Sequence, residues 1–203
     1  VIETGRLLDE LHGQLSEYFG EALDGPLRVA MFPDRQHFSD ALASDGHLIV
    51  KGGGYYAPEN RTAYLFEQPS VYYTRQLLLH EATHQFHFLV ATGNRKPKAT
   101  WYVEGLADYF AMHDWDGTQL RCGIVPAVSL EDYPAAALAT IEENAARPAW
   151  LRSIIDCREK ASRPLSWALV HFLMHRDREA FRRLGRRLDQ SGQPLEAFCE
   201  IIG

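Results

Sequence analysis

Apolar residues return every three or four positions at the start of the chain. Leu7, Leu8, Leu11, Leu15, Tyr18 and Phe19 fall on one side of the helix this spacing predicts over Ile2 to Phe19. Gly20 to Pro26 breaks the pattern, and Leu27 to Phe32 reads as a short buried strand. Pro33-Asp34 starts a helix reaching about Ala43, and Gly52-Gly53-Gly54 reads as a flexible or closely packed loop. Tyr55 to Phe66 holds two strands around the turn-like tetrad Ala57-Pro58-Glu59-Asn60. From Val71 to about Val90 the run has no Gly or Pro and ends at Thr92-Gly93-Asn94, the mark of a helix and its stop. Arg95-Lys96-Pro97-Lys98 is a polar connector, and Thr100 is placed to cap a second helix. Gly117 to Pro134 is irregular, a loop or a short extra strand pair. Helices then follow to the end, broken near Pro148, Pro164 and Pro194.

Strands in the first third and helices afterwards predict an α+β fold: a small twisted sheet packed on a mainly helical C-terminal half. The expected organisation is one domain over residues 1–203, with 1–70 forming the sheet and an N-terminal helix and 71–203 the helical part. Composition fits this. The chain has 203 residues, enough for a substantial core, and its 46% hydrophobic and 24% charged content is that of a globular protein. A net charge of -6 argues against a nucleic-acid partner. No apolar run approaches membrane-spanning length. The first residue is Val1, which leaves open a removed leader and an extracytoplasmic location. Cys122, Cys157 and Cys199 are an odd count with no CxxC pair, so they form no metal-cluster signature and leave one disulfide possible without indicating it.

The long helix changes the picture, because it carries His80-Glu81-Ala82-Thr83-His84, an HExxH pattern. Residues four apart share a helix face, so His80 and His84 can offer imidazole nitrogens to one metal ion. Glu81 lies at the edge of that face, where it can reach a metal-held water without taking a coordination position. Downstream, Trp101-Tyr102-Val103-Glu104-Gly105-Leu106-Ala107-Asp108-Tyr109 supplies the carboxylate of Glu104 and a second acid, Asp108, four residues on. Two histidines and one carboxylate leave a position open for water, the arrangement of a catalytic zinc rather than a structural one. The plainer reading is a structural helix with two stray histidines. Burying such a helix would leave polar rings at a cost that a bound metal removes. The pattern that would add a third histidine needs Gly at 87 and His at 90. His87 and Val90 stand there, so that reading is rejected.

HEATH followed by WYVEGLADYF resembles the gluzincin metallopeptidases, and its E-G-x-A-D-Y wording is most similar to small bacterial peptidase MA-like domains. The likeness extends to Leu27–Phe32 with the following helix, to Gly53–Phe66, and to Ser166–Leu173, about two thirds of the chain. It implies a zincin-like fold, with the helix carrying HExxH in a cleft between sheet and helices. It also implies a Zn2+ cofactor held by His80, His84 and Glu104, and Glu81 as general base in peptide-bond hydrolysis. Asp108 is then expected to orient the first histidine. His171 is placed to line the cleft and donate to the oxyanion, as a C-terminal histidine does in thermolysin relatives, although an ordinary core histidine is the favoured reading. The tyrosine expected just before Ser-Trp-Ala-Leu is absent, Ser162-Arg163-Pro164-Leu165 standing there. Arg163, Tyr133 and His171 are therefore the oxyanion candidates. His113 and His175 read as surface or helix-end groups.

No GAMEN-like motif precedes HEATH, which favours an endopeptidase over an aminopeptidase. An edge strand near Thr62 to Phe66 could pair with an extended peptide or protein substrate, with Tyr55, Tyr56 and Tyr64 along the groove. The alternative is a catalytically inactive or latent binding module that kept the fold. The complete set of motif residues, Glu81 above all, favours the enzyme.

Overall fold

The computed structural model describes residues 2–47, 50–125, 132–190 and 192–203, with the side chain of residue 2 left aside. They group into two compact units: Val1–Arg95 with Phe110–Ile124, and Lys96–Tyr109 with Val125–Gly203. The fold class is α+β, as the pattern of strands and helices predicts.

In the first unit, helix α1 (Ile2–Phe19) buries Leu7, Leu11, Leu15 and Tyr18, the stripe read from the sequence. Strand β1 (Val29–Phe32) leads into helix α2 (Arg35–Ser44). The carboxylate of Asp34 caps α2 by accepting from the His37 N–H at 2.9 Å, satisfying one of the free donors of the first turn. Strands β2 (Gly54–Ala57) and β3 (Thr62–Phe66) flank the expected turn. Phe38 and Leu42 of α2 pack with Ala57 and Tyr64 into a small core under the sheet.

Strand order corrects one expectation. β3 lies between β1, which runs parallel to it with Val29 opposite Ala63, and β2, which runs antiparallel with Tyr55 opposite Tyr64. Thr62 to Phe66 is thus the middle strand and has no edge to offer a peptide; among the described residues β2 is an edge. The cause is the crossover through α2. It carries the chain past the position beside β1 to β2, and the tight turn then brings β3 back between the two, antiparallel to β2 and parallel to β1.

Helix α3 (Val71–Ala91) is capped by Ser70, whose hydroxyl accepts from Tyr73 N–H at 3.2 Å. It packs on α1, β2 and β3, so it belongs with the sheet rather than with the helices that follow. A short antiparallel ribbon, β4 (His113–Trp115) and β5 (Leu120–Cys122), accounts for the first part of the irregular stretch. Residues 126–131 of that stretch lie outside the described residues.

The second unit is helical. It comprises most of α4 (Thr100–Ala111), then α5 (Tyr133–Asn144), α6 (Trp150–Ile155), α7 (Arg163–Arg176), α8 (Arg178–Gln190) and α9 (Pro194–Ile201). Thr100 is the first helical residue rather than the cap, and the Ala99 carbonyl accepts from the Tyr102 and Val103 N–H groups. The helices are interrupted near Pro148, Pro164 and Pro194 as expected, and Pro164 and Pro194 each lie in the first turn of the next helix, where an N–H has no intrahelical partner to lose. Gly105 lets α4 lie against α7, because a Cβ there would collide with the Ser166 carbonyl. The indole of Trp101 donates to the Ile155 carbonyl at 3.1 Å, tying α4 to α6. No helix of the described residues is long and apolar enough to cross a membrane, and the three cysteines are free.

Candidate functional site

The HExxH residues lie in the most buried stretch of α3, where every residue from Leu78 to Phe88 is buried. His80 and His84 face one another across one helical turn, with their Nε2 atoms 3.1 Å apart and their rings nearly perpendicular. Two nitrogens so close can share a proton or converge on a cation. The His84 ring also packs on Phe88.

Glu81 is buried beside them and lies flush on strand β2. A Cβ added to Gly54 would stand 2.7 Å from both Cγ and Oε1 of Glu81, so the strand accepts the carboxylate there only because residue 54 is glycine. The triple glycine suggested a tight loop; its last member is the first residue of β2. Tyr55 follows, half-buried, with its phenol pKa raised by burial and further by the charges of Glu59 and Glu81.

The other polar groups of this stretch have structural duties. Thr83 donates to the Leu79 carbonyl at 2.7 Å. Gln85 accepts from the Arg28 N–H at 2.8 Å and donates to the carbonyls of Arg28 and Arg61 at 3.0 and 2.6 Å. It thereby clips α3 to the backbone just ahead of both strands of the sheet's parallel pair.

The tyrosines placed along a substrate groove are largely core. Tyr56 is buried and donates to Asn94 Oδ1 at 2.7 Å. Tyr64 is buried, donates to Asp45 Oδ2 at 2.5 Å and accepts from Asn60 Nδ2 at 2.5 Å. Of the three, only Tyr55 keeps appreciable access to solvent: it points to the face opposite Tyr56 and shares a face with Tyr64, but sits on the edge strand β2 rather than on the central β3. His113, expected as a surface or helix-end group, follows the end of α4 but is buried on β4, where its ring stacks on Tyr72 and its Nδ1 lies 2.9 Å from the Ala111 carbonyl.

In the second unit, Glu104 is partly exposed on α4, and its Oε1 accepts from Lys96 Nζ at 3.0 Å. One turn on, Asp108 is wholly buried, and Arg163 at the start of α7 forks onto it. Nε donates to Oδ2 at 3.1 Å and Nη2 donates to Oδ1. Burial opposes the guanidinium charge, but Asp108 more than offsets it, with smaller help from Tyr133 and Glu104, so the pKa of Arg163 is raised. Two candidates read independently from the sequence are therefore partners of each other. Tyr133 is buried at the head of α5 with its ring edge-on to Trp167. His171 lies on α7 among Trp167, Tyr109 and His175, stacked on the last with centroids 4.1 Å apart.

Sequence reasoning missed Lys96, Gly54, Gly105 and Gln85. A glycine inside a helix costs about 1 kcal/mol against alanine. Gly105 in the middle of an otherwise strong helix was therefore the one legible signal of a close approach. A family model described as Protein of unknown function (DUF1570) matches residues 76–196, more than half of the chain, and the chain belongs to that family.

Proposed function

We propose that this DUF1570 protein is a zinc-dependent hydrolase of peptide bonds, with His80, His84 and Glu104 as metal ligands and Glu81 as general base. The observation that carries the reading is the convergence of the two buried Nε2 atoms at 3.1 Å beside a carboxylate held against Gly54. The donor set supports it as well. His80, His84 and Glu104 make up a group of residues that could hold a metal ion. Two imidazoles and one carboxylate suit zinc and leave a position for water. When bound, such an ion would draw the pKa of a water toward neutrality and polarise a substrate carbonyl.

The chain's own residues supply the rest. His80 and His84 must be neutral to offer their lone pairs to a metal ion. Glu81 takes the proton of the attacking water on a carboxylate oxygen and returns it to the leaving nitrogen. Its position against the β2 backbone keeps that carboxylate from swinging away from the helix face. Asp108, clamped by Arg163, anchors the buried side of α4 one turn beyond Glu104 and steadies the presentation of that carboxylate. Arg163, permanently charged, His171 and Tyr133 are the groups with the chemistry to steady a developing oxyanion. Strand β2, an edge of the sheet among the described residues, offers backbone hydrogen bonds to an extended peptide, which fits an endopeptidase.

The test is metal analysis of protein purified without chelator, alongside cleavage of unfolded protein by wild type and Glu81→Gln. About one zinc per chain and a rate about 10²–10⁴-fold lower in the variant are expected, with metal and thermal stability retained. Cleavage by Glu81→Gln at the wild-type rate would remove Glu81 from the reaction. Unchanged zinc content in Glu104→Ala would remove Glu104 from the ligand set. Zinc without cleavage of any peptide would favour the binding module.

A further inference from the structure

Glu104 also lines a second-unit cavity of about 630 Å³ that the mechanism above does not use. Five of its other lining residues are cations: Lys96, Lys98, Arg158, Lys160 and Arg163. This concentration of positive charge stands out in a chain of net charge -6. Three of the cations have carboxylate partners, Lys96 on Glu104, Arg158 on Asp156 and Arg163 on Asp108. The remaining acid of the wall, Glu159, is matched by Arg147. Lys98 and Lys160 have no ion-pair partner among the described residues. Two lysines of one concave wall thus carry a charge with no acidic partner among the described residues, and surrounding protein focuses such a field on whatever enters.

From this arrangement we infer that the cavity is an anion-selective subsite taking a carboxylate of the substrate, either an acidic side chain or a free C-terminus. The inference rests on the proposed peptide hydrolysis only for calling the ligand a substrate. Its link to the reaction is Glu104. A carboxylate directed to a metal ion holds the neighbouring Lys96 less tightly, which adds a third ammonium to those of Lys98 and Lys160. The cavity would thus be most cationic when the metal ligand is engaged, and an anionic peptide group would replace the carboxylate that Lys96 gave up. An ammonium on a long flexible stem suits this exchange, since it moves between partners without a fixed fork geometry.

The experiment uses the full chain carrying Glu81→Gln and loaded with zinc, so that bound peptide is not cut. Fluorescence anisotropy follows three labelled peptides of equal length: a neutral peptide with an amidated end, the same peptide with a free carboxylate, and an amidated peptide with glutamate replacements. At low salt at least one anionic peptide should bind about tenfold more tightly than the neutral one, with the preference shrinking as salt rises. Which one does so identifies the source of the carboxylate. Adding Lys98→Glu and Lys160→Glu should reverse the order in favour of a lysine-bearing peptide, a gain that an unfolded variant would not show. Equal binding of all three peptides overturns the inference, and so does an anionic preference that survives the double reversal. If the wild-type protein neither keeps zinc nor cuts, yet the preference and its reversal persist in metal-free protein, the hydrolase reading fails and the anion subsite stands.

Discussion

Helix α8 keeps its polar residues outside. Ala180, Phe181, Leu184, Gly185 and Leu188 face the protein at three- and four-residue spacing, and the exposed side carries arginines. Helix α3 is buried on every side between Leu78 and Phe88, and still holds His80, Glu81, Thr83, His84, Gln85 and His87 there. On α8 a polar residue costs nothing because water solvates it. On α3 each one must find compensation inside the protein. Thr83 and Gln85 find it in backbone groups, which makes them structural. His80, His84 and Glu81 are arranged around one another instead, and that is where chemistry is to be sought. Burial of polar groups is thus a filter, and the identity of their partners does the sorting.

The comparison breaks first on the apolar side. Phe181→Ala should cost about 3–5 kcal/mol in denaturant unfolding, because it empties a fully buried site. Arg186→Ala on the exposed face of the same helix should stay within about 0.5 kcal/mol. Next, Gly54→Ala forces a methyl group into Glu81. Peptide hydrolysis should fall about 10²-fold through misplacement of the base, with zinc content unchanged by elemental analysis. A fully active Gly54→Ala would mean that the carboxylate need not lie against β2.

Gln85→Ala removes an amide bonded to three backbone groups, and a loss of about 1–3 kcal/mol in unfolding free energy is expected, with metal affinity kept. Loss of metal at full stability would reverse the roles assigned within α3. The smallest effect belongs to His113. Its pKa is lowered from 6.5, first by burial and then by Arg75, against the opposing Ala111 carbonyl and Asp114. The folded state therefore favours the neutral ring. This contribution is complete above pH 6.5 and is lost as pH falls through the lower folded value, because the unfolded chain takes up the proton first. In chelator, the thermal midpoint of His113→Gln should fall less steeply than that of wild type as pH drops below 6.5.

How far the sequence could be read depended on the range of the interaction. The apolar stripe of α1, the start of α2 at Pro33-Asp34 and the turn between β2 and β3 involve residues a few positions apart, and each was legible. The pairing of His80 with His84 was legible for the same reason, since their four-residue spacing on a helix is itself the geometry. The central place of β3 was not legible. Strand composition tells which segments pair, whereas the order depends on how the crossover through α2 returns the chain. Tyr56 and Tyr64 looked like groove residues because an aromatic on a strand reads alike on either face. Only their bonds to Asn94, Asp45 and Asn60 assign them to the core.

The sequence by itself therefore determined the α+β class, most of the helices and the identity of the chemically capable residues, because periodicity, capping and helical spacing are local properties of the backbone. Tertiary structure alone decided that Gly54 is the seat of Glu81, that Gly105 admits α7, that Arg163 serves Asp108, and that Lys96 stands on Glu104. Each of these depends on close contact between surfaces far apart or differently oriented in the chain. A contact of that kind is selected by packing and by the need to compensate buried charge, and neither quantity exists until the elements have come together.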